Sequence, residues 1–144
     1  MRVLQLRLRV QTERRSQLVN ITPQVQELLG RSEFTEGIAL ISVPHTTCAL
    51  AVNEDEEGLK EDVLQLLSRL VPEAGPYEHN KVDNNAHAHL RSLLQLPYIA
   101  LPISAGKLQL GSWQSLFLVE WDGPRQRMVL ITLMGDVANG GKSP

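Results

Sequence analysis

The sequence predicts an α+β fold in which mainly antiparallel strands pack as a sheet or sandwich and two or three helices cover one side. Three observations carry this expectation. Strand-like runs outnumber helical ones across the 144 residues. Two or three helical stretches are inserted among them. The order does not alternate strand and helix as a doubly wound parallel sheet requires.

Each element has a local reason. Residues 2–10, RVLQLRLRV, alternate Arg and Gln with Leu and Val, the period of a half-buried strand. In NITPQVQELLG, Thr22 is placed as an N-cap, Pro23 at the first helical position and Gly30 as a stop, which predicts a short helix. GIALISVP and CALAVNE predict strands at 36–43 and 47–53, with Pro44 and His45 between them. If these two form a hairpin, His45 lies in its turn. Glu54 then lies at the far end of the second strand, about 20 Å away at ~3.3 Å per residue. From Asp55 to Leu70 the apolar residues Leu59, Val63, Leu66, Leu67 and Leu70 fall at helical spacing, with acids in the first turn where the helix dipole favours them. VPEAGPYEHNKVD has two prolines and a glycine and predicts a loop. NNAHAHLRSLL predicts a second substantial helix whose buried stripe is Ala86, Leu90, Leu93 and Leu94. Three strand-like runs follow, at 98–104, at 107–120 with a break near Gly111, and at 126–134; WDGPR makes the turn before the last.

Composition bounds the function. Hydrophobic residues make up 42%, ordinary for a globular protein, and the length suits one domain spanning 1–144. Net charge is −2 with arginines scattered among acids, so no basic stripe points to nucleic acid. The longest apolar runs, IALISV and MVLITLM, fall far short of the ~20 residues of a membrane span. The alternating start differs from a signal peptide, so a soluble, cytoplasmic protein with no membrane partner is expected. Cys48 is the single cysteine, either a small buried side chain or, with His45 three residues away, a nucleophile.

Three of the four histidines, His79, His87 and His89, lie within eleven residues, and the fourth is His45. A zinc site with an open position takes about three protein ligands, often histidines. His87 and His89 are two apart, hence ~200° apart on a helix, and cannot share one ion while the segment stays helical. They flank the expected apolar stripe by similar angles, so periodicity leaves the choice between them open. Glu54 is a surface acid or a general base, with Asn53 beside it. Glu120 ends an apolar strand and is a buried partner for Arg125 or Arg127, or a site residue. Trp113, beside Gln114, belongs to the core or walls an organic ligand.

The ordered motifs HTTCALAVNEDEEGLKED, LVPEAGPYEHN, AHLRSLL, GKLQLGSWQ and EWDGPRQRMVLITLMG resemble the YjbQ-like family, also called the secondary thiamine-phosphate synthase enzyme family. The resemblance spans about residues 36–135. It implies an α+β fold of antiparallel strands, a homotrimer, and a histidine metal site near a subunit boundary. Carried over residue by residue, the ligands are His45, His79 and His89, while His87 falls at a variable position. Asn53 and Glu54 match the family's N-E pair, the catalytic candidates. Thr46 and Thr47 follow the motif histidine, and Gly111-Ser112-Trp113-Gln114 keeps a hydroxyl where the pattern has threonine. Acids that often follow Y-x-H reduce here to Asp83. The resemblance implies thiamine phosphate synthase-like chemistry, yet the chain has neither an acidic metal–diphosphate motif nor a lysine-rich cradle. The expectation is therefore a metal-dependent enzyme acting on a small phosphorylated metabolite. It would use a divalent metal such as zinc, with Thr46, Thr47, Trp113, Gln114, Arg125 and Arg127 as substrate-binding candidates. A trimer that binds a metal or small anion without turnover is the alternative.

Overall fold

The computed structural model describes residues 1–138. The elements are β1 (Arg2–Gln11), β2 (Gln17–Asn20), α1 (Thr22–Ser32), β3 (Phe34–Ser42), β4 (Cys48–Asn53), α2 (Glu57–Leu70), a 3-10 turn (Glu78–Lys81), α3 (Ala86–Ser92), β5 (Tyr98–Ser104), β6 (Lys107–Leu108), β7 (Ser115–Glu120) and β8 (Gln126–Val137). All strand pairs are antiparallel and form two sheets, β1-β8-β3-β5-β6 and β2-β7-β4. The α+β class read from the sequence is the one observed.

The two sheets face each other across one core. Val10, Ala39, Ile41, Leu101, Val129 and Ile131 from the larger sheet meet Cys48, Leu50, Leu116 and Leu118 from the smaller, with Val25 and Leu29 of α1 closing one end. β7 reads SLFLVE because both of its faces are buried. Leu116 and Leu118 point to this core; Phe117 and Val119 point the other way, to Leu67 of α2, Ala88 of α3 and Trp121. The larger sheet, the smaller sheet and the two helices behind it therefore stack as layers.

Several local expectations need correction. Residues 36–43 and 47–53 do not form a hairpin: β3 belongs to the larger sheet and β4 pairs with β7 in the smaller. The segment 43–47 crosses between sheets, so His45 sits on a crossover rather than in a turn. The N-cap position of α1 is Ile21, not Thr22, and the Thr22 N–H is met by Asn20 Oδ1 (3.0 Å). Thr22 is already helical, and its Oγ1 accepts from Leu116 N–H (2.7 Å). Gly30 lies inside the helix, which ends at Glu33 in a left-handed conformation (φ 64°). β2 has no counterpart in the sequence reading; its four half-buried residues are too few to show a period. The break near Gly111 is real and separates β6 from β7.

α3 reverses its expected face. Ala86, His87, Ala88 and Arg91 are buried, whereas Leu90, Leu93 and Leu94 are exposed (78% for Leu93). Arg91 explains the reversal. Its guanidinium lies 5.2 Å from the Trp121 ring centre and its Nε–H donates to Val71 O (2.9 Å), so a charged side chain is satisfied inside and the leucines are turned out.

Candidate functional site

His79 is delivered by the 3-10 turn and His89 by α3. The loop that carries His79 is held by Tyr77, whose hydroxyl donates to Pro72 O (2.7 Å). The imidazole rings of His79 and His89 meet edge to face, with centres 4.7 Å apart and planes at 74°. His89 also separates two cavities. One, of about 420 Å³, is lined by Tyr77, Glu78, His79 and His89. The other, of about 360 Å³, is lined by His89 together with His45, Thr46, Cys48 and Gln95. His79 and His89 therefore touch, and His45 and His89 both line the second cavity. Neither cavity is lined by a lysine or arginine.

Hydrogen bonds distinguish the imidazoles. Asn85 Nδ2 donates to Asp122 Oδ2 (2.9 Å), which turns Asn85 Oδ1 toward His79 Nε2 at 3.0 Å. An amide oxygen only accepts, so His79 Nε2 carries the proton and Nδ1 keeps its lone pair. His45 is the reverse. Its Nε2 accepts from the Met128 backbone N–H (2.9 Å), so Nδ1 carries the proton of the neutral ring. Burial, followed by the nearby Arg127 charge, lowers the His45 pKa and favours that neutral form.

His87 faces inward, 1% exposed; among the described residues its Nε2 has no hydrogen-bond partner, and it lies 3.9 Å from Glu73 Oε1. Burial, followed by the nearby Arg91 charge, lowers the His87 pKa.

The other site candidates are spread more widely. Thr46 is exposed on the cavity wall beside His45. Thr47 is buried, and its hydroxyl and carbonyl both accept from Arg127 Nη2. Arg127, 4% exposed, makes a bidentate pair with Glu120, whose Oε1 also accepts from Thr12 Oγ1 (2.8 Å). Thr47 and Arg127 are therefore corrected from substrate contacts to interior structure: both are buried, and Arg127 Nε and Nη2 are engaged by Glu120 and Thr47. Arg125 is half-exposed and binds Asp122 through Nη2 and Nε. Trp113 is corrected from core to surface, at 75% exposure. Gln114 folds back to accept from Gly111 N–H (2.8 Å), on a loop outside both cavities. Asn53 ends β4 at the end far from His45, Glu54 follows it, and neither lines either of these two cavities; Asn53 Oδ1 accepts from Glu54 N–H (2.8 Å). Cys48 is buried, and burial pushes its thiol up to about 12, which favours the small buried side chain over the nucleophile.

Sequence reasoning missed Asn85 and Asp122. Asn85 precedes a helix and resembles an ordinary N-cap; Asp122 sits in WDGPR and resembles a turn residue. Their partnership joins residues 37 apart, which no local pattern displays.

A family model described as UPF0047 protein YjbQ-like matches residues 6–136. The chain belongs to the YjbQ-like UPF0047 family. A UPF0047 relative from Archaeoglobus fulgidus is 40% identical over 126 residues, covering 88% of this chain and 98% of the relative. One from Methanothermobacter thermautotrophicus is 38% identical, covering 94% of each chain. Among solved structures, a YbjQ-like protein of unknown function from Sulfolobus solfataricus superposes with a TM-score of 0.90 at 39% identity, covering 94% of this chain and 99% of that one. A hypothetical protein from Aeropyrum pernix gives 0.90 at 41% identity, covering 92% and 99%.

The metal that the family resemblance implies fits these residues in part. Metal-bound histidines characteristically donate their second ring N–H to an acceptor. His79 does so, to Asn85, and no protein hydrogen bond engages the His89 ring among the described residues. His45 does not fit: a ring whose Nε2 accepts from a backbone N–H has no second lone pair to give, and ligation would require breaking the Met128 contact. Among the described residues no group of three or more His, Cys, Asp or Glu side chains is placed to hold an ion.

Proposed function

We propose that this protein is a metal-dependent enzyme acting on a small phosphorylated metabolite, with His79 and His89 as the nitrogen ligands of a divalent cation such as zinc. The 4.7 Å pairing of these two imidazoles carries the proposal. The charge of the cavity walls supports it. A phosphate entering cavities without lysine or arginine needs its charge offset, and a bound divalent cation supplies that offset by Lewis-acid polarisation. Zinc suits imidazole donors.

The chain's own residues then divide the work. His79 and His89 hold the cation, His45 offers Nδ1–H as a hydrogen-bond donor, and the exposed Thr46 hydroxyl stands beside it on the cavity wall. Arg125, half-exposed and tied to Asp122, is a cationic group available to an anion near Asn85, as is Arg15 on the same carboxylate. Thiamine phosphate synthase-like chemistry, which the resemblance implies, is one reaction of this type.

We also propose that the protein is a homotrimer, which would bring further residues to the site. On the outer face of the larger sheet, Val3, Met134, Ile38 and Pro102 lie directly opposite one another across β1, β8, β3 and β5, all exposed. An apolar row of this kind is a surface for another subunit. Glu54, with Asn53, would act as a base only if a neighbouring subunit brings it to the histidines.

The function is tested by zinc titration of chelator-treated protein, followed by a thermal-shift screen of small phosphorylated molecules with and without the metal. Metal-dependent stabilisation by a phosphorylated compound is expected. A compound that binds equally well without metal favours the second possibility, a small-anion-binding protein without turnover, for which the His45 and Thr46 donors are the supporting feature.

A further inference from the structure

We propose that Asn85 and Asp122 are positioning residues that hold His79 with Nε2 protonated and Nδ1 free as an acceptor, while the Met128 backbone N–H holds His45 in the opposite tautomer, with Nδ1 protonated. The two histidines would then be unequal by construction: one offers a lone pair and the other a proton.

Asn85 has an ordinary job that it does not perform. It sits at the N-cap of α3, where an asparagine side chain normally accepts from the helix's first free N–H groups, yet it makes no such bond. Asn80 supplies a substitute, its Oδ1 accepting from Ala86 N–H (3.1 Å). Asn85 is thereby released to join His79 to Asp122. It is 6% exposed, so its amide is placed by these two partners rather than by water.

Asp122 decides which way that amide points. Its Oδ1 accepts from Arg15 Nη1 (2.5 Å), and its Oδ2 accepts from Arg125 Nη2 and Asn85 Nδ2 (2.9 Å each). An ionised carboxylate receiving three donors can only be met by the NH₂ end of Asn85. A reversed amide would set oxygen against carboxylate and NH₂ against the ring. The order of donors therefore runs His79 Nε2–H to Asn85 Oδ1, and Asn85 Nδ2–H to Asp122. In histidine–metal sites such outer partners fix ring orientation and tautomer, and their loss costs about 10–100-fold in metal affinity or activity. This inference rests on the proposed function only for that affinity; the tautomers themselves do not depend on it.

His45 shows that the arrangement is not a default. An unconstrained neutral histidine favours Nε2–H, the form assigned to His79. Only a donor facing Nε2 holds a ring the other way, and Met128 N–H is that donor.

The experiment is two-bond ¹H–¹⁵N correlation NMR of ¹⁵N-histidine-labelled, metal-free protein at a pH where the rings are neutral, paired with zinc titration. Wild type is expected to show His79 as Nε2–H and His45 as Nδ1–H. Asn85→Leu is expected to leave His45 unchanged, move His79 to a mixture of tautomers, and weaken zinc binding about 10–100-fold. Asn85→Gln, which keeps an amide, is expected to recover part of the loss. Finding both histidines in one tautomer in wild type overturns the proposal without any variant. So does a folded Asn85→Leu protein whose His79 tautomer ratio and zinc affinity both equal those of wild type. If wild type binds no zinc while the two tautomers are as stated, the metal function fails and the positioning claim stands.

Discussion

Arg127 carries its charge inside the protein, against a carboxylate with no solvent exposure. Burial alone would raise the Glu120 pKa, but hydrogen bonds from Arg127, the Asp122 N–H and Thr12 outweigh it and hold the carboxyl below its ordinary value. Removing one partner leaves an unpaired buried charge. Arg127→Ala is therefore expected to destabilise the fold by about 3–5 kcal/mol in denaturant titration. The pair also has a pH signature. A carboxyl with a lowered folded-state pKa contributes stability that is present above its unfolded value, near 4.5, and is lost as pH falls through its folded value. Glu120→Gln should flatten the melting temperature against pH below about 4.5, relative to wild type. An unchanged acid slope would remove Glu120 from this role. At this scale the sequence showed residue types but not their sides. An arginine after an apolar strand looks alike whether it meets a ligand or a buried glutamate, and Trp113 looks like core although it lies on the surface.

Elements were legible wherever a repeat was long enough to display its period. β1, β5 and α2 were readable because each carries several turns or alternations. α2 also announces its start, since Glu56 caps it by accepting from Leu59 N–H (3.0 Å) and Gly58 N–H (2.5 Å). β2 and the inverted face of α3 were not readable, because four residues show no period and the burial of Arg91 depends on Trp121, thirty residues away. The crossing of β3 and β8 has its own requirement. Gly37 and Gly135 lie opposite each other, and a Cβ on Gly135 would stand 1.9 Å from Glu36 O, one on Gly37 2.0 Å from Met134 O. Gly135→Ala should therefore exceed the ~1–3 kcal/mol usual for overpacking, because backbone rather than a movable side chain is struck. A loss under 1 kcal/mol in urea denaturation would show that the strands separate freely. Gly30, with nothing near its missing Cβ, should accept alanine and gain slightly from helix propensity.

For the molecule as a whole, the ordered motifs made family and fold class readable, while the site was readable only as a list of histidines. Which nitrogen each ring presents depends on contacts across the fold: His45 with Met128 lies 83 residues apart. Subunit assembly belongs to this scale as well. Sedimentation equilibrium at micromolar concentration is expected to give three times the 16.1 kDa chain, and Ile38→Lys, in the middle of the exposed apolar row, to lower that mass. A wild-type mass of one chain would remove the trimer, and with it any contribution of Glu54 from a neighbour.

The proposed metal site uses His79 and His89, and not His45, to hold a divalent cation. Its most direct measurement is isothermal titration of zinc into chelator-treated wild type and the His79→Ala, His89→Ala and His45→Ala proteins, each first shown to be folded by its melting curve. One zinc per chain is expected for wild type, with loss of that binding in His79→Ala and His89→Ala and retention of the stoichiometry in His45→Ala. Loss in His45→Ala as complete as in the other two, or no zinc bound by wild type, would contradict it.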